Sequence, residues 1–218
     1  MAKFNISGNS GNLLDTDANK NVLVVQGTPA ISATGGQYFV TGGSDSSGLV
    51  AASIASGAVL MSMRMGSNTV KMAYIQRIHV KITVGTVGTS ALAAGTMGFQ
   101  RYTIIPPTSN FTGGTSRTAA RGNASVGAAS DMSDIRDSNA ALTTTGAVFG
   151  DILSQFHVPI MLQGSSSSIN GTDADFLYEL EDGPVVMAQG DGLCFRAQRA
   201  FPGTQTWGYS YNIQWFEK

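Results

Sequence analysis

Charge is scarce in this sequence. Only 12% of its 218 residues are charged, 13 Lys and Arg against 14 Asp and Glu. Soluble domains average about 25%. Helical surfaces are built from Glu, Lys and Arg, so the shortage excludes a helical bundle, a coiled coil and a helix-rich α/β enzyme. The signs nearly cancel, with a net charge of −1. That leaves no global cationic excess to neutralise phosphates, and no nucleic-acid partner is expected. One cysteine, Cys194, rules out an intrachain disulfide. No apolar run approaches the ~18 residues of a membrane span, so no membrane partner is expected. The opening Met1-Ala2-Lys3-Phe4-Asn5 is followed by no apolar stretch of the signal-peptide kind, so synthesis in a cytoplasm is expected.

What the sequence does have is glycine, 27 residues, together with much Ser, Thr and Ala and an ordinary 42% of hydrophobic residues. These are the residues of strands and turns. Val59 to Met65 reads as a strand that ends at the turn signal Gly66-Ser67-Asn68. From Val70 to Val84, Ile78, Val80, Ile82 and Val84 alternate with Arg77, His79, Lys81 and Thr83. A period of two gives a strand with one dry face and one cationic face, long enough to predict a bulge near Tyr74-Ile75. Met97 to Ile105 is another strand, stopped by Pro106-Pro107. Thr108 to Ala147 reads as one long loop, with a short helical turn over Asp131 to Arg136 that Asp131 caps. Apolar residues return over Val148 to Leu162, and Gly164 to Gly171 is a serine-rich loop. Strands follow at Pro184 to Ala188 and, beyond the turn Gln189 to Gly192, at Leu193 to Gln198. The final strand puts Trp207, Tyr209, Tyr211, Ile213 and Trp215 on one face.

The expected architecture is all-β: an antiparallel β-sandwich of jelly-roll type with an extended N-terminal arm and one long loop. The arm covers residues 1–34 and the sandwich 35–218. Within the arm, Val22-Leu23-Val24-Val25 reads as a lone strand that needs an outside partner. Together with Leu13 and Leu14, these are the candidate residues for docking the arm on another subunit.

Catalytic constellations are thin. Cys194 sits mid-strand between Leu193 and Phe195, where packing is the plain role. His79 lies between Arg77 and Lys81, and His157 has no partner in sequence. Asp15-Thr16-Asp17-Ala18-Asn19 imitates the start of a calcium loop, but Lys20 replaces the glycine and Gln26 the bidentate glutamate. Asp131, Asp134 and Asp137 are spaced by three, and Glu179-Leu180-Glu181-Asp182 is a short acidic turn. Neither set forms a metal or acid–base motif, so no metal, no cofactor and no enzymatic activity is expected. The best basic patch is Arg64, Lys71, Arg77, His79 and Lys81. Inside an assembly, Arg77, His79 and Lys81 are candidates to meet the acidic groups of a neighbour. The aromatic final strand leaves a carbohydrate platform as an alternative to a sandwich core.

Gly183-Pro184-Val185-Val186-Met187-Ala188-Gln189-Gly190-Asp191-Gly192-Leu193-Cys194-Phe195-Arg196 resembles a strand-turn-strand segment of tailed-bacteriophage virion proteins. Gly203-Thr204-Gln205-Thr206-Trp207, the ending Gln214-Trp215-Phe216-Glu217 and the stretch Ala73 to Val80 are similar to other pieces of the same proteins. Gly113-Gly114-Thr115 is similar to their Ser/Thr/Gly loop. The resemblance runs from about Val59 to Lys218 and rests on short motifs. It implies a structural virion protein: a capsid decoration (cement) protein or, alternatively, a head-fibre, collar or tail component. The implied partners are the major capsid protein and two further copies in a homotrimer, with a host-surface glycan as a further possibility. The implied location is the outer surface of the capsid.

Overall fold

A computed structural model describes residues 14–16, 22–24, 36–44, 53–67, 69–86, 96–104, 110–122, 129–143, 146–157, 172–179, 185–200 and 206–218. The described residues hold fourteen strands and no helix. These are β1 (Leu14–Thr16), β2 (Val22–Val24), β3 (Gly36–Gly43), β4 (Val59–Arg64), β5 (Ala73–Thr86), β6 (Thr96–Ile104) and β7 (Thr115–Arg117). The others are β8 (Ala120–Arg121), β9 (Ile135–Leu142), β10 (Ala147–His157), β11 (Thr172–Glu179), β12 (Val185–Met187), β13 (Asp191–Ala197) and β14 (Thr206–Glu217).

Two antiparallel sheets pack face to face as a β-sandwich. The first has the order β10-β6-β13-β4-β9-β7, the second β11-β5-β14-β3-β8, with β12 also on β5. The pairing is nested. β3 pairs β14, β4 pairs β13, β5 pairs β11 and β6 pairs β10. β14 then also pairs β5, and β13 also pairs β6.

Period-two alternation explains most of the long strands. Ile78, Val80 and Ile82 of β5 face inward, as do Trp207, Tyr209, Tyr211, Ile213 and Trp215 of β14. They meet Leu60, Met61 and Met63 of β4, Phe99 of β6 and Phe195 of β13 in one core. The predicted bulge is present: Gln214 pairs Arg77 but Trp215 pairs Ile75, which leaves Gln76 as the extra residue. β4 departs from alternation, and all six of its residues are buried. The reason is a second cluster of Val59, Tyr102, Phe111, Leu142 and Cys194. Cys194 alternates with the core residues Leu193 and Phe195, so this cluster lies on the outer face of the first sheet.

Three expectations are corrected. Val22–Val24 is not a lone strand, because it pairs Leu14–Thr16. Thr108 to Ala147 is not one loop. It supplies β7, β8 and β9, which extend both sheets, and it lays Phe111 over the outer face of the first. Asp131 to Arg136 is not a helical turn. Met132 forms a bridge with Met65, and Ile135 begins β9. Burying Met132 and Ile135 beside β4 outweighs the weak helical signal of acids three apart. Pro106-Pro107, Gly164 to Gly171 and Gly203-Thr204-Gln205 lie outside the described residues.

Candidate interaction face

The outer face of the second sheet carries the cations that the sequence singles out. Arg77 and Lys81 are exposed and His79 is half-buried, each on the side of β5 opposite the core. The adjacent strand is β11, in register with Lys81 opposite Asp175, His79 opposite Leu177 and Arg77 opposite Glu179. His79 Nε2 lies 2.5 Å from Asp175 Oδ1, a diagonal cross-strand contact, and Arg77 Nε lies 3.8 Å from Glu179 Oε1. Arg77 and His79 thus already meet acidic groups of the chain itself. On the other flank of β5, the half-buried Ser210, Asn212 and Gln214 of β14 are neutral. The face is therefore striped by strand: acidic, basic, neutral.

The sequence reading missed β11, although its signal was present. Phe176 and Tyr178 pack against the core and alternate with exposed Asp175, Leu177 and Glu179.

The five-residue basic patch does not assemble. Arg64 is buried and its guanidinium meets Asn110. Lys71 Nζ lies 3.2 Å from Asp131 and 3.7 Å from Glu217, a carboxylate that is 0% exposed. Glu217 also accepts hydrogen bonds from Ser130 Oγ, the Asp131 backbone N–H and Trp215 Nε1. The three spaced aspartates likewise diverge. Asp131 accepts from Thr69 Oγ1 at 2.5 Å, and that bond, with Lys71, holds its carboxyl below the ordinary value of 3.8. Burial pushes Asp134 up, against bonds from the Phe111 N–H and Arg136. Asp137, 1% exposed, accepts from Arg117 Nε at 2.8 Å, the Gly43 N–H at 3.0 Å and the Tyr211 hydroxyl at 3.0 Å. Each aspartate ties separate segments together, and among the described residues no group of acids, His or Cys is arranged to hold a metal.

Cys194 is buried, and desolvation pushes its thiol up to about 12, so it is no thiolate near neutral pH. Its Sγ lies 3.4 Å from the Gln100 carbonyl oxygen. Trp207 and Trp215 are buried within the core, so the aromatic strand presents no stacking face. A cleft of about 180 Å3 opens where β6, β10 and β13 approach β12, lined by Arg101, Thr103, Val148, Val186 and Asp191 among others. Of the candidate arm residues, Leu14 lies in β1 and Val22, Leu23 and Val24 in β2, while Leu13 and Val25 lie outside the described residues, as does Glu181. No family model, curated protein or solved structure matches the chain.

Proposed function

We propose that the chain is a non-enzymatic structural protein of a tailed-phage virion, a decoration protein on the outer surface of the capsid. The observation that carries this reading is the nested pairing of β3 with β14, β4 with β13, β5 with β11 and β6 with β10. Wound over two sheets, such pairing supports a jelly-roll path, a fold used repeatedly in virus shells. Two further features support it. The segment similar to phage virion proteins spans β12, a turn and β13, and it crosses from the second sheet to the first. Asp191 holds that turn by accepting from the Ala188 N–H at 2.9 Å, and Gly190 takes the positive φ it needs. The low surface charge suits a protein partly covered by neighbours.

In this reading residues 1–34 form the arm that reaches the major capsid protein, and the sandwich is the trimeric outer body. Deleting the residues before Ala30 abolishes capsid binding and leaves a folded sandwich with unchanged far-UV circular dichroism. Full occupancy by the truncated protein would exclude the arm. Copy number in purified virions decides the address: hundreds place it on the shell, whereas a dozen or fewer favour a tail, collar or fibre. The carbohydrate alternative loses the strand that motivated it, because those rings fill the core.

A further inference from the structure

The charges of the striped face meet across its two strands and also remain open to solvent. Opposite charges stand at equal heights along the strands, Asp175 beside Lys81 and Glu179 beside Arg77, with Leu177 beside His79 between them. The groups also point outward. Side-chain exposure is 65% for Asp175, 53% for Glu179 and 44% for Arg77, and Leu177 is 48% exposed, one of few large apolar side chains so placed among the described residues.

We propose that this face is a two-fold contact between two copies of the chain. A half-turn about an axis parallel to the strands and midway between β5 and β11 keeps every residue at its height and exchanges the stripes. Asp175 then faces the partner's Lys81, Glu179 faces the partner's Arg77, and Leu177 lies over the partner's His79. Every relation recurs by symmetry, as an isologous interface requires. The other face-to-face half-turn, about an axis crossing the strands, keeps each stripe in place and reverses heights. It sets acid on acid and cation on cation, which is repulsive. The charge pattern thus selects one of the two arrangements. Two strands per copy cover less than the ~800 Å2 per partner of a standard stable interface, so the contact is weak and salt-sensitive. It is independent of the virion reading and holds whatever particle the chain belongs to.

Sedimentation equilibrium of the full chain, with two charge-reversed variants, tests it. Asp175→Lys with Glu179→Lys makes the face wholly cationic, and Arg77→Glu with Lys81→Glu makes it wholly acidic. The wild type shows an average mass that rises with concentration at low salt and falls back at about 0.5 M salt. Each variant alone loses that rise, and an equal mixture of the two regains it. The contact is overturned if the wild type shows no salt-sensitive rise, if either variant alone associates like wild type, or if the mixture associates no more than its components. Oxidative cross-linking reads the axis. Leu177→Cys mixed with His79→Cys forms the mixed disulfide, whereas a Leu177→Cys homodimer would point to the rejected half-turn. Cys194 is buried and does not compete.

Discussion

The most consequential single residues are carboxylates with no role in any visible chemistry. Asp137 gathers a guanidinium, a backbone N–H and a phenol from β7, β3 and β14 onto one oxygen, 1% exposed. Truncating such a group orphans several buried donors at once. Asp137→Ala is expected to lower stability by roughly 3 kcal/mol, read as a shifted urea midpoint at unchanged m. Asp131 makes a pH prediction. Its folded-state pKa is depressed by the Thr69 hydrogen bond and by Lys71. Its contribution is therefore complete above the unfolded value near 3.8 and is lost as pH falls through the folded one. The stability gap between wild type and Asp131→Asn is expected to be widest near neutral pH and to narrow as pH falls below the unfolded value near 3.8. A gap that stays constant with pH would mean that the charge contributes nothing.

At the scale of elements, β3 and β14 approach each other closely at Gly43. Gly43 has φ 141°, and a Cβ there would lie 2.1 Å from the Tyr209 carbonyl oxygen. The obstacle is backbone, which cannot rotate away as a side-chain tip does. Gly43→Ala is expected to destabilise by about 2 kcal/mol or more, checked by thermal unfolding, with the loss concentrated in hydrogen-exchange protection of β3 and β14. The long strands β5 and β14 were legible because each has one wet and one dry side, and alternation records that directly, whereas β6 and β13 are buried on both faces over Thr96 to Gln100 and Gly192 to Phe195 and showed instead through their apolar residues and bounding turn signals. β3, with Gln37-Tyr38-Phe39-Val40-Thr41 among glycines, was legible only in its centre and went unread. β7 to β9 were hidden for a different reason. Their sequence is mostly small and polar, and their strand character comes from edges offered to them: β4 to β9, β9 in turn to β7, and β3 to β8. A partner's unpaired backbone leaves no trace in the sequence that pairs with it. The outcome for the cations was mixed for the same reason. Their wet face was visible in β5, while the acids opposite them lie about a hundred residues further along.

For the whole molecule, the core is continuous across both sheets, and hydrogen bonds cross it. The Tyr209 hydroxyl of β14 lies 2.8 Å from the Leu60 carbonyl oxygen of β4. The shared core is buried only when the two sheets pack on each other, so they are expected to unfold together. Trp207 and Trp215 report on the second sheet and Cys194 on the first. Fluorescence and thiol labelling across a urea series are expected to give coincident midpoints, with Cys194 unreactive in the native state. Separated midpoints would show that the sheets are independent folding units.

The nested pairing also constrains the order in which the structure forms. β14 lies between β3 and β5 and follows both in the chain. A chain emerging N-terminus first therefore presents two strands with a vacant lane between them, and no local contact fills it. The loop closed when Gly36 meets Glu217 spans nearly the whole sandwich, and its entropic cost falls before any reward from the central strand. Folding is expected to be slow, on the order of milliseconds to seconds, and rate-limited by docking of β14. Until then the open edges of β3 and β5 are exposed to any other extended chain nearby.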